Sequence, residues 1–270
     1  DRSLVGSEMC IRDRKYGKAR QLLPIQIAQP FVEVAEKLNV YPWLDYHYAY
    51  SLGNYKFIDE SKGFHWSNLD QCVKFSGTSD ESGFIMNHVD INQHSPKLVG
   101  SVLQALKAIS NNNNEDLNKN LKQNFHSMEL VNDRRKDMWV ASRWKHYNDF
   151  RIFIMGIKGN DEIFDDGLIY EGVWDEPKKF RGQTGAQDNI IPMEDIFTGV
   201  INFYPDNQLT KYLLDLRTYR PKCIQNFFID LKNTIDSLSG GSIFHYLKKE
   251  KNSIGMCYLL AIVEEIYKFR

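Results

Sequence analysis

From residue 22 onward, apolar residues return every three or four positions in one segment after another, which commits the chain to helices. In "QPFVEVAEKLN" the stripe is Phe31, Val34 and Leu38, with Pro30 suited to a first helical turn. "SPKLVGSVLQALKAIS" places Ser95 as a cap and Pro96 at the first position, with Leu98, Val102, Leu103, Leu106 and Ile109 behind them. "QLTKYLLDLRTYR" carries Leu209, Tyr212, Leu213 and Leu216 on one stripe and ends at Pro221. "CIQNFFIDLKNTIDSL" and "NSIGMCYLLAIVEEIYKFR" read the same way, separated by Gly240-Gly241. The last Asn of the "NNNNED" run (111–116) can cap the helix after it. Periodicity alone does not assign "RIFIMGI" (151–157). The fold class expected is all-α.

The composition change at 76–83, "SGTSDESG", reads as a linker. It divides the chain into part of a small N-terminal domain, 15–76, and a large helical domain, 77–270. The opening "DRSLVGSEMCIRDR" has no initiator Met, no signal-peptide apolar run and no periodicity continuous with the helical pattern, so residues 1–14 are expected to be non-native. "EEIYKFR" stops inside an amphipathic helix without a cap, so the chain is expected to be a fragment at that end too.

Composition narrows the function. A formal net charge of -1 over 270 residues argues against a nucleic-acid binder, which would show a basic face. No run of 18 apolar residues is present, so a membrane span is not expected. Cys10, Cys72, Cys223 and Cys257 lie far apart without a CxxC pair, which fits a reduced, cytoplasmic chain and indicates neither a disulfide scaffold nor a zinc site. Aromatic residues make up 13% of the chain, enough for a pocket walled by flat rings.

Candidate chemistry is sparse when residues are taken singly. The loop 181–187, "RGQTGAQ", has the glycines of a phosphate cradle but lacks the Lys-Ser/Thr of a P-loop, and no clear strand precedes it. Its small residues Gly182, Gly185 and Ala186 would let backbone approach a ligand closely, or simply connect two elements. His47, His65, His88, His94, His126, His146 and His245 form neither HxxxH nor HExxH, so spacing gives no metal site. His88, after the apolar "GFIM", has the placing of a hydrogen-bonded structural histidine. Arg151 opens an apolar run and must find an anion, either one of the chain's own carboxylates or a ligand carboxylate held bidentate.

Several segments taken together resemble the indoleamine 2,3-dioxygenase family, haem enzymes that open the indole ring of tryptophan. They are "LPIQIAQPFVEVAEKL" (23–38), "ESGFIMNHV" (81–89), "RIFIMGIKGN" and then "DGLIYEGVWDEPKKFRGQTGAQ" (151–187), "YLLDLRTYRP" (212–221) and the terminal "FR". The resemblance implies an all-helical fold, with a small domain capping a large haem-binding one. It also implies haem b as cofactor, and L-tryptophan or a related indoleamine with O2 as partners. The reaction implied is dioxygen insertion across the indole C2–C3 bond to give N-formylkynurenine, and a cytoplasmic monomer is expected.

Residue by residue, the resemblance matches Arg151 to the arginine that pairs with the substrate carboxylate, and Phe84 to the aromatic that packs on the indole. His88 stands where animal members often have serine and related tryptophan dioxygenases use histidine, which gives it the role of orienting the indole N–H. Gly182, Gln183, Thr184, Gly185 and Ala186 match the small-residue loop of the distal pocket, with Thr184 and Gly185 nearest the substrate. Asp195 and Arg270 match an acid and a base near the haem propionates. His146 and Tyr147 replace a Phe pair of the animal enzymes, which implies a more polar substrate pocket. Ile224 and Gln225 stand where the family usually shows His-Arg. The axial histidine is expected three residues beyond Arg270, so no metal ligand is assigned within the chain. The alternative is a haem-binding or signalling relative with little turnover.

Overall fold

The computed structural model describes residues 20–270; the segment 1–14 expected to be non-native and residues 15–19 lie outside it. The helices of seven residues or more, in chain order, are α1 (Ile25–Leu38), α2 (Ser79–Asn92), α3 (Ser95–Ser110), α4 (Asn114–Arg135), α5 (Ile190–Thr198), α6 (Gln208–Leu216), α7 (Lys222–Asp236), α8 (Ile243–Lys249) and α9 (Ser253–Phe269). Strands are limited to two-residue pieces, β1 (Leu22–Leu23), β2 (Lys56–Phe57), β3 (Leu69–Asp70) and β4 (Ile169–Tyr170), so the expected all-α class holds. The chain forms two compact units, each discontinuous in sequence. One comprises the described residues up to Val89 with Met138–Gln187 and Leu213–Lys222; the other comprises Asp90–Asp137, Asp188–Tyr212 and Cys223–Arg270.

In the first unit, α1 starts earlier than its sequence suggests. Pro24 is the N-cap in extended backbone, so Pro30 falls inside the helix and not in its first turn. The buried face is also a different one. Ala28, Val32 and Ala35 are buried, whereas Phe31, Val34 and Leu38 are 37%, 52% and 43% exposed. This face packs into a cluster of large apolar side chains. β1 pairs in parallel with β4, and Tyr170, fully buried, donates to the Pro42 carbonyl at 2.6 Å. Leu23, Ala28, Val32, Ile157, Leu168 and Tyr170 share this core.

A second core in the same unit gathers Tyr50, Phe75, Phe84, Ile85, Val89 and Phe150. Residues 76–78 turn into α2, and 79–83 already belong to that helix. Glu81, fully buried, accepts from the Phe75, Ser76 and Gly77 amides at 2.8, 2.7 and 3.0 Å and from the Ser76 hydroxyl at 2.6 Å. A carboxylate so fully satisfied tolerates burial and fixes where α2 begins.

In the second unit α4 packs against α3 and α9. Its cap is Asn113, whose side chain accepts from the Asp116 amide at 3.1 Å, rather than the last Asn of the run. Leu103 of α3, expected in the core, is 47% exposed; Ala105 and Ala108 are buried instead. α5 is buried along nearly its whole length, polar Glu194 and Asp195 included.

Candidate active site

Glu81, Phe84 and His88 fall at i, i+3 and i+7 of α2, which sets them along one face. Phe84 meets Tyr147 with ring centroids 5.3 Å apart, Phe150 at 5.4 Å and His88 at 4.9 Å, in tilted or edge-on contacts. The Tyr46 hydroxyl lies 3.4 Å from His88 Nδ1, its ring edge-on to the imidazole. A Cβ on Gly185 would sit 2.6 Å from His88 Cε1, so a side chain there would push against this histidine.

Two bare backbones place that loop. A Cβ on Gly182 would meet the Ile154 carbonyl oxygen at 2.1 Å, and one on Gly156 would meet the Gly182 nitrogen at 2.0 Å. Gln183, fully buried, donates from Nε2 to the Ser51 hydroxyl at 2.8 Å. The Thr184 amide donates to Gln187 Oε1 at 3.1 Å, and the Ala186 amide to Thr184 Oγ1 at 3.4 Å. Buried Arg220 donates to the Ala186 carbonyl at 3.3 Å. The Thr184 and Ala186 amides are thus taken up within the loop itself.

Tyr147 and Arg151 open and close the short helical turn Tyr147–Arg151, four residues apart and so on one face. Arg151 Nη1 is buried without a hydrogen-bond partner among the described residues. A buried guanidinium donor left unpaired is costly, so this atom calls for an acceptor. His146 goes elsewhere: its Nδ1 pairs with Asp149 Oδ2 at 3.0 Å on an exposed edge. Among the rings around Phe84, the structure therefore brings in Tyr147 but not His146.

In the second unit, Asp195 is buried and Arg270 Nη2 donates to its Oδ1 at 2.5 Å. Tyr204 donates to Asp195 Oδ2, and its ring lies under the Arg270 guanidinium at 5.1 Å. Next to it Glu194, fully buried, accepts from Asn124 Nδ2 at 2.9 Å. Burial above all, with Asp195 adding to it, pushes the Glu194 carboxyl up to about 8.

Three further histidines have local partners: His65 faces Ser67, His126 faces Glu129 and His245 faces Ser242. Burial and then the Arg134 charge hold His94 below its ordinary range. Among the described residues no group of three or more His, Cys, Asp or Glu side chains is placed to hold a metal ion, and no helix is long and apolar enough to cross a membrane. Sequence reasoning missed Tyr46. Its segment "YHYAY" (46–50) is a π-helical turn with no readable periodicity, and its contact with His88 spans 42 residues.

Comparison with known proteins gives one consistent result. The family profile described as "Indoleamine 2,3-dioxygenase" matches residues 9–268. Rat indoleamine 2,3-dioxygenase 1 is 28% identical over 217 residues, covering 79% of this chain and 52% of that protein. Human indoleamine 2,3-dioxygenase 2 is 28% identical over 212 residues, covering 78% and 51%. The 6-hydroxytryptophan 2,3-dioxygenase of Fusarium equiseti is 25% identical over 223 residues, covering 80% and 52%. The chain spans about half the length of the curated relatives it matches. With a profile matched along nearly its whole length, the chain belongs to the indoleamine 2,3-dioxygenase family.

Proposed function

We propose that the protein is a haem-dependent dioxygenase that inserts O2 across the indole C2–C3 bond of L-tryptophan, giving N-formylkynurenine, as a cytoplasmic monomer. The observation that carries this reading is the unpaired, buried Nη1 of Arg151, four residues from the Tyr147 ring that packs on Phe84. Arg151 holds the substrate carboxylate, and a fork of two N–H donors fixes both its place and its orientation. Phe84 and Tyr147 supply apolar edges for the flat indole. His88 turns the indole N–H toward itself, and Thr184 and Gly185 close the wall beside it. The task of these groups is positioning, which converts an encounter into a reaction between neighbours.

Haem b, when bound, supplies the redox iron that activates dioxygen. The residues named for it fit in kind. Ala186 is exposed at the end of the small-residue loop of the first unit. Ala186 and Gly182 would admit the macrocycle edge, and Gln183 would hold the loop against it through Ser51.

The test uses the full-length protein under reducing conditions. A Soret band together with N-formylkynurenine formed from L-tryptophan is expected, and a protein that binds no haem would sink the proposal. A second reading, a haem-binding relative with little turnover, draws on the His146-Tyr147 replacement. Haem binding with no tryptophan turnover is the outcome that selects it.

A further inference from the structure

A cavity of about 440 Å³ lies within the first unit, against the outer face of α1. Its volume is that of a small-molecule site, for which roughly 300–1,000 Å³ is usual. Phe31 and Val34, which α1 turns away from its core, line it together with Leu44 and Ala49 at the π-helical turn. Phe75 and Phe153 line it too, their rings stacked with centroids 6.1 Å apart. The bulky stripe of α1 is therefore one wall of a hollow.

The lining dictates what such a hollow can hold. No charged side chain lines it among the described residues, and a charge buried without a partner is costly, so the occupant is neutral. A tryptophan zwitterion does not meet that condition. Phe31, Trp43, Phe75, Phe153 and Tyr170 give the lining its flat rings, which suit a flat aromatic body. Among the polar groups, the Tyr170 hydroxyl is already spent on the Pro42 carbonyl, and Gln26 is exposed to water and places no demand on the occupant. Trp43 differs from both. Its Nε1 is buried without a hydrogen-bond partner, and an indole nitrogen can only donate. We propose that the cavity binds a neutral, flat aromatic molecule of the aryl-ketone class, its body among the rings and its carbonyl oxygen accepting from Trp43 Nε1. The ligand removes the cost of an unpaired buried donor, which is what makes a carbonyl better here than a plain hydrocarbon. Binding at this cavity needs neither haem nor tryptophan.

The experiment is equilibrium dialysis of the full-length protein against 6-propionyl-2-(dimethylamino)naphthalene, a neutral naphthyl ketone. Saturable binding at a single site is expected, undisturbed by excess L-tryptophan. Trp43→Phe, which keeps a ring but loses the donor, should weaken it about fivefold, the loss of one neutral hydrogen bond. Val34→Trp changes an exposed position of α1 and fills the hollow from its rim; it should abolish saturable binding while the circular dichroism spectrum stays that of the wild type. Absence of saturable binding to the wild type overturns the proposal, and would mean that the full-length chain itself fills the cavity. Displacement of the ketone by L-tryptophan, or binding indifferent to either variant, overturns it equally.

Discussion

At Gly182 and Gly156 two stretches of backbone pass closer than any side chain allows, so the placing of the loop 181–187 depends on two hydrogen atoms. Gly182→Ala must displace the Ile154 carbonyl, and a loss of roughly 2 kcal/mol in urea unfolding is expected, in the range of overpacked sites. Stability equal to the wild type would show that the two segments separate freely. Glu194 makes a pH-dependent prediction in the other unit. Its folded value, raised by burial to about 8, lies above its unfolded value, so its contribution is fully present below the unfolded value and is lost as pH rises through about 8. Glu194→Gln, titrated from pH 5 to 9, should flatten that decline; an unaltered slope would rule out this origin. At this scale the sequence was legible where residue type dictates environment, as at Phe84, which lies in an apolar run and is buried among rings. It was silent about Tyr46, whose partner lies 42 residues away.

Helices were legible as elements, but their faces were not always. α1 buries Ala28, Val32 and Ala35, the first two against the cluster around Leu168 and Tyr170, while bulky Phe31, Val34 and Leu38 turn outward. Periodicity counts apolar residues and carries no record of how close a neighbour comes. The polar "SGTSDESG" concealed a buried carboxylate for the same reason, since its amide donors come from the turn itself. Two predictions belong here. Asn113→Ala removes the cap of the long helix α4 and should cost about 1 kcal/mol, read by chemical denaturation. At the start of α2, Asp80 takes a fork from Arg143 Nε and Nη2 at 3.0 and 2.5 Å, and this pairing lowers its carboxyl to about 2. A depressed folded value gives stability present above the unfolded value and lost as pH falls through about 2. Because Arg143 is largely exposed, Asp80→Asn should cost only about 1 kcal/mol at neutral pH. A cost that persists undiminished at pH 2 would contradict the ion-pair origin.

For the molecule as a whole, membership in the indoleamine 2,3-dioxygenase family rests on collinear segments that no single motif could replace. "FRGQTGAQ" gained its meaning from the backbone that passes behind it and from His88 in front, neither of which can be read from glycine spacing. The function proposed for this unit stands on its binding an amino-acid zwitterion by the carboxylate, and Arg151 carries that contact. Steady-state turnover of L-tryptophan by the full-length Arg151→Ala variant, with haem content determined on the same sample, tests it. KM should rise roughly 10- to 100-fold, as for hydrogen bonds to a charged group, with haem content unchanged. Haem lost while KM holds would contradict the carboxylate role of Arg151.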